Sequence, residues 1–150
     1  MLIDLIVGTR PNFVKMSSII RALEVKKFKL PKNFDYRLIH TGQHYDKNLS
    51  DNFFEQLEIP SPHINFEVGS GNQSEQTGKI MTRYEALLRN KPSKLCVVVG
   101  DVTSTMACAI VAQKFSISVA HVEAGIRSRD WTMPEEINRL VVDSITTLFF

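Results

Sequence analysis

Short apolar runs alternate with helical periodicities from one end of the chain to the other, and that alternation restricts the fold more than any other feature. Residues 2–7 read as a strand. Residues 11–27 read as a helix carrying Met16, Ile19, Ile20 and Leu23 at i, i+3, i+4 and i+7. A second strand is expected at 36–41, then a short helix at 49–57 closed by Pro60 and Pro62. An edge strand at 64–68 leads through the turn Gly69-Ser70-Gly71-Asn72 into a helix at 74–90, with Ile80, Tyr84, Leu87 and Leu88 on one face. Residues 95–99 are wholly apolar, which predicts a strand covered on both sides. A small-residue helix (103–114), a strand (118–122) and a helix (135–144) with Ile137, Leu140, Val141 and Ile145 in phase follow, and 146–150 reads as a last strand. The pattern predicts an α/β fold, a three-layer Rossmann-like parallel sheet with helices on both faces and right-handed crossovers.

A chain of 150 residues is one domain with one ordinary core. Its apolar ending, Leu148-Phe149-Phe150, sits inside a strand pattern, so residues 1–150 read as a single N-terminal domain of something longer. Net charge is +2, and the only basic run, residues 25–29, reads as a solvated helix end. No nucleic acid is expected as a partner. No apolar stretch approaches a membrane span, and the first residues carry Asp4 and no basic segment, so neither a membrane span nor a signal peptide is expected. The expected location is cytoplasmic. Cys96 and Cys108 lack Cys or His neighbours at ligand spacing and read as reduced core residues. The four histidines, His40, His44, His63 and His121, make no metal pattern, and no metal is expected. Gly8 stands without the G-x-G-x-x-G spacing of dinucleotide sites. Gly78-Lys79 lacks both the earlier glycine and the following hydroxyl of a P-loop. No cofactor is therefore expected.

In a doubly wound sheet, ligands bind beyond the carboxyl ends of the strands, where strand order reverses. The first, fourth and fifth strands end in Gly8-Thr9-Arg10-Pro11, Gly100-Asp101 and His121-Val122-Glu123-Ala124-Gly125. Topology alone thus predicts Arg10, Asp101 and Glu123 on one rim. Arg10 and Lys15 flank the start of the first helix, where cations oppose the macrodipole. A bound anion reverses that sign and collects free backbone N–H groups, so the pair reads as a phosphate site. Asp101 and Thr103 also read as caps for the helix after the fourth strand. Glu135 fits a capping box with Thr132 and an i, i+4 pair with Arg139, the latter worth about 0.2–0.5 kcal/mol. Glu123 is harder to place structurally, since a carboxylate at the end of a buried strand needs a partner. Clustered acids are what general acid–base chemistry uses. His44, in the loop after the second strand, falls on the same rim, whereas His121 reads as a hydrogen-bonded core histidine.

Taken together, these motifs resemble the non-hydrolysing UDP-N-acetylglucosamine 2-epimerases. The resemblance rests on Gly8-Thr9-Arg10-Pro11 with Lys15-Met16, Thr41-Gly42-Gln43-His44, Gly100-Asp101 with a hydroxyl run, His121-Val122-Glu123-Ala124-Gly125-Ile126-Arg127, and Pro134-Glu135-Glu136-Ile137-Asn138-Arg139. It implies the N-terminal half of a glycosyltransferase-B-like enzyme with its site between two Rossmann-like halves, the second of which this chain lacks. It implies interconversion of UDP-GlcNAc and UDP-ManNAc by elimination and re-addition of UDP, without nicotinamide. By motif match, Asp101, Glu123 and Glu135 are the expected acid/base carboxylates, and which of them takes the C2 proton stays open. Arg10 and Lys15 are expected at the nucleotide diphosphate, Arg139 at the substrate, and Gln43 and His44 near a nucleotide-sugar site that some members use for regulation. A homodimer is expected of the full-length enzyme, and the 150 residues alone are expected to be inactive. A hydrolysing relative, a glycosyltransferase half-domain and a non-catalytic nucleotide-binding module are the alternatives.

Overall fold

The computed structural model describes residues 1–26, 29, 31–42 and 51–150. Its elements follow the expected alternation: β1 (Leu2–Val7), α1 (Arg10–Lys26), β2 (Asp35–His40), α2 (Asp51–Gln56), β3 (Ile64–Asn65), α3 (Gln73–Asn90), β4 (Leu95–Val99), α4 (Thr103–Lys114), β5 (Ser118–Val122), α5 (Pro134–Ile145) and β6 (Leu148–Phe149). The strands form one sheet in the order β3-β2-β1-β4-β5-β6, and every pairing is parallel. The order reverses between β1 and β4, so the crevice of the fold opens beyond their carboxyl ends.

Alternate residues of each strand enter different layers. Ile6, Cys96, Val98 and Val119 pack with Ile80, Tyr84 and Leu88 of α3, with the small residues Ala107, Cys108, Val111 and Ala112 of α4, and with Val142 of α5. Leu5, Val7, Leu38, Val97 and Val99 face Phe13, Met16 and Ile20 of α1 and Phe53 and Phe54 of α2. The small side chains of α4 let it lie close over the sheet between α3 and α5, and both cysteines are buried in that layer. Burial pushes the Cys96 thiol up to about 12, against a smaller lowering by the Tyr84 hydroxyl. No helix is long and apolar enough to cross a membrane among the described residues.

Several local expectations are corrected. The edge strand expected at 64–68 is only Ile64–Asn65; Glu67 beyond it is left-handed at φ 49°, although Phe66 and Val68 still donate to the His40 and Thr41 carbonyls. The helix expected from 74 begins at Gln73, capped by Asn72, whose side chain accepts the Glu75 N–H at 2.9 Å. On α5, Ile137 is 40% exposed, and the buried residues are Glu136, Asn138 and Val142. Residues 27, 28, 30 and 43–50 lie outside the described residues, and with them the expected contacts of Gln43 and His44.

One ion pair crosses the middle of the sheet. Asp4 on β1 accepts Arg37 Nε at 2.7 Å and Arg37 Nη2 at 2.9 Å from β2, and Tyr84 of α3 donates to it at 3.0 Å. All of this is buried, which accounts for a carboxylate inside an otherwise apolar first strand.

Candidate active site

The turn after β1 is drawn inward by Asn12. Its Oδ1 accepts the N–H of Gly8 at 3.2 Å and of Thr9 at 3.0 Å, and its Nδ2 donates to the Val99 carbonyl at 3.4 Å. The tips of β1 and β4 are thereby tied side by side. These two amides, which precede the first helix, are thus taken up by Asn12. Asn12 itself went unread in the sequence, although an Asn four residues after a strand-ending Gly is a recognisable way to hold such a turn.

Lys15, a turn and a half into α1, forms an ion pair with Glu123 at the tip of β5. The two bridge the mouth of β4, where Gly100 turns the chain at φ 67°. A methyl on Gly100 would meet Glu123 Oε2 at 3.5 Å and Lys15 Nζ at 3.8 Å, ordinary contact distances, so it is the left-handed turn that calls for glycine there. Glu123 is itself left-handed, at φ 69°, an unfavourable conformation for a residue with a side chain.

Arg139 of α5 closes the other side. Its Nη2 and Nε donate to Asp101 Oδ2 at 2.7 and 3.1 Å, and its Nη1 reaches the Glu123 carbonyl at 3.3 Å. Asn138 donates to the Asp101 carbonyl at 2.7 Å. Helix α5 therefore binds the ends of β4 and β5 together. The expected Glu135–Arg139 pair is not formed, because Arg139 turns inward to Asp101. The capping roles expected of Asp101, Thr103 and Thr132 are not found either. The N-cap of α4 is Val102 and that of α5 is Met133, neither with a side-chain cap bond, and Pro134 supplies the pre-set first residue of α5.

The structure thus brings Lys15, Asp101, Glu123 and Arg139 into one connected group. Arg10 makes no ion pair with this group among the described residues, and its guanidinium lies 4.9 Å over the ring of Phe53. Glu135 is exposed in the first turn of α5, with no ion pair among the described residues, where a negative charge favours the helix dipole.

Two further carboxylates shape the rim. Glu136 accepts the Ser128 N–H at 2.8 Å, the Arg129 N–H at 3.1 Å and the Ser128 hydroxyl at 3.1 Å, pinning the loop before α5. The Ser128 amide chiefly holds its carboxyl below the usual range, over the opposing effect of burial. Asp143 bonds His121, Arg127 and the Gly125 N–H. The sequence reading gave neither acid a role, although Glu136 lies within the Pro134–Arg139 motif. The signal was present, since Glu136, Arg139 and Asp143 recur at i, i+3 and i+7 and put a polar stripe on one face of α5.

Comparison with known proteins places this geometry. The UDP-N-acetylglucosamine 2-epimerase family model matches residues 26–150. A UDP-N-acetylglucosamine 2-epimerase of Methanocaldococcus jannaschii is 47% identical over 100% of this chain and 39% of its own length. A UDP-2,3-diacetamido-2,3-dideoxy-D-glucuronate 2-epimerase of Pseudomonas aeruginosa is 38% identical over 97% of this chain and 40% of its own length. The crystal structure of the M. jannaschii UDP-GlcNAc 2-epimerase in complex with UDP-GlcNAc and UDP superimposes with a TM-score of 0.88, covering 97% of this chain and 39% of that one at 47% identity. That of the Neisseria meningitidis enzyme bound to UDP-GlcNAc gives 0.87 at 25% identity, over 100% of this chain and 39% of that one. The chain spans about 39% of the length of the M. jannaschii relative. The family match takes in β4, β5 and α5 of the rim, the M. jannaschii relative matches the whole chain, and the chain belongs to the UDP-N-acetylglucosamine 2-epimerase family.

Proposed function

We propose that this chain is the N-terminal Rossmann-like half of a non-hydrolysing epimerase that interconverts UDP-GlcNAc and UDP-ManNAc. The observation that carries the reading is the meeting of Lys15, Glu123, Asp101 and Arg139 at the switch point of the sheet. Loss of the C2 hydrogen as a proton and of UDP from C1 leaves a C1–C2 double bond. Re-addition of UDP at C1, with a proton delivered to the other face of C2, gives the epimer. A carboxylate must move the proton, and Asp101, Glu123 and Glu135 are the candidates. Charge gathers on the departing diphosphate, and cations fixed in advance stabilise it. Arg10 and Lys15 take that role, and Arg139 orients substrate by holding Asp101. Gln43 and His44 belong to the nucleotide-sugar site in this reading. The rest of the full-length enzyme supplies a second domain that closes over the rim, so the 150 residues alone turn nothing over.

The working enzyme is a cytoplasmic homodimer that takes a UDP-sugar and needs no nucleic acid, membrane, metal or cofactor. UDP-GlcNAc is the favoured substrate over a diacetamido uronate because the relative named for it is 47% identical, against 38%. The test is to incubate the full-length protein with UDP-GlcNAc in D2O and follow C2 by NMR. Deuterium at C2 with UDP-ManNAc as product is expected. Free ManNAc as product identifies a hydrolysing enzyme, sugar transfer without C2 exchange identifies a glycosyltransferase, and either overturns the reading.

A further inference from the structure

Behind the rim runs a buried chain of hydrogen bonds to which the proposed reaction assigns no part. His121 on β5 has no exposed surface. Its Nε2 lies 2.8 Å from the Gly100 carbonyl oxygen, and its Nδ1 lies 2.6 Å from Asp143 Oδ1 on α5. The other oxygen of Asp143 accepts the Gly125 N–H at 3.0 Å and Arg127 Nη1 at 2.6 Å.

The donors can be assigned from these partners. A carbonyl oxygen has no hydrogen to give, so Nε2 carries one. Asp143 faces a guanidinium and a backbone N–H, both donors. Burial pushes its carboxyl up, but the hydrogen bonds from Arg127, His121 and Gly125 outweigh that and hold it below the ordinary aspartate range. Its Oδ1 meets His121 Nδ1, so the two ring nitrogens are each bonded to a different piece of the rim.

Those pieces are the turns that aim the carboxylates. Gly100, Glu123 and Gly125 are all left-handed, at φ 67°, 69° and 78°. His121 holds the carbonyl of the first turn, next to Asp101. Asp143 holds the amide at the end of the second, which begins at Glu123. A left-handed residue with a side chain persists only where its surroundings over-determine it, and Asp143 and Arg139 hold the two ends of the Glu123 turn.

We propose that His121, bonded through both ring nitrogens and backed by Asp143 and Arg127, is a positioning residue that fixes the Gly100 and Glu123 turns and so sets the spacing of Asp101 and Glu123. The proposal rests on reading the rim as the nucleotide-sugar site.

Two measurements test it. In the 15N-labelled chain, long-range proton–nitrogen spectra should show the His121 Nε2 protonated, as its bond to the Gly100 carbonyl requires. In the full-length enzyme, His121→Gln keeps one of the two bonds and loses the other. Its kcat for C2 deuterium exchange should fall about a hundredfold, as expected of a displaced catalytic group, with KM for UDP-GlcNAc within about threefold of the parent. Asp143→Asn should act alike, and the double variant should be no worse than the weaker single, because the residues act as a unit. A ring with an unprotonated Nε2, or a folded His121→Gln enzyme with parental kcat, overturns the proposal. If His121→Gln does not fold, the ring spectrum and Asp143→Asn decide. If the parent exchanges nothing at C2, the nucleotide-sugar reading fails, and the ring spectrum still upholds or overturns the relay.

Discussion

Lys15 and Glu123 meet across the mouth of β4, one from the first helix and one from the tip of the fifth strand. Their side chains are 42% and 29% exposed, so their attraction is screened and contributes about 1 kcal/mol or less to stability. Glu123→Gln is therefore expected to leave the thermal midpoint nearly unchanged while reducing C2 exchange in the full-length enzyme by about a hundredfold or more. A melting curve beside an exchange assay separates the two effects, and full exchange by the variant would remove Glu123 from the chemistry.

Two glycines should respond to the same substitution with opposite signs. Gly100→Ala forces a side chain into a left-handed turn at φ 67° beside Glu123 and Lys15, at a cost of about 1–2 kcal/mol. Gly78→Ala lies within α3, and the added methyl meets nothing within 4 Å, so it should stabilise by about 0.5–1 kcal/mol. Urea midpoints of the two variants provide the check.

The Asp4–Arg37–Tyr84 group is the most sensitive point of the interior. Arg37→Met strands the buried Asp4 charge and should cost about 3–5 kcal/mol. Tyr84→Phe removes one hydrogen bond to a charged acceptor, worth about 1.5–3 kcal/mol. Adding Asp4→Leu to Arg37→Met should recover much of the loss, since Arg37 Nη1 has no hydrogen-bond partner and an apolar pair can replace a buried ion pair. Denaturant unfolding of the single and double variants measures this, and a double variant no better than Arg37→Met would contradict it.

Acid should weaken the fold through Asp143 and Glu136. Both carboxyls are held below their ordinary values of 3.8 and 4.5. The unfolded chain then binds more protons than the folded one in acid. The stability they contribute is fully present above those ordinary values and is lost as pH falls through the lower, folded ones. The thermal midpoint should accordingly drop as pH is lowered below about 5, with a shallower drop in Asp143→Asn. A midpoint that rises on acidification would reverse the assignment.

Much of the rim was legible in the residues themselves. Hydrophobic periodicity determined the alternation of strands and helices, and parallel sheets built that way place their ligands at the carboxyl ends of strands, so Asp101 and Glu123 could be named as rim residues before any coordinates. An acid at the end of the buried strand β5 called for a partner, and half-exposed Lys15 is that partner. Only the tertiary structure decided which charges pair. Arg139 chose Asp101 over its helical neighbour Glu135, Arg10 turned to Phe53, and Asn12, Glu136 and Asp143 became the hydrogen-bonding frame of the turns. The reason is physical: periodicity is a local property carried by neighbouring residues, whereas a hydrogen bond between side chains such as those of Arg139 and Asp101 depends on where distant segments stop, and that is set by packing of the whole sheet.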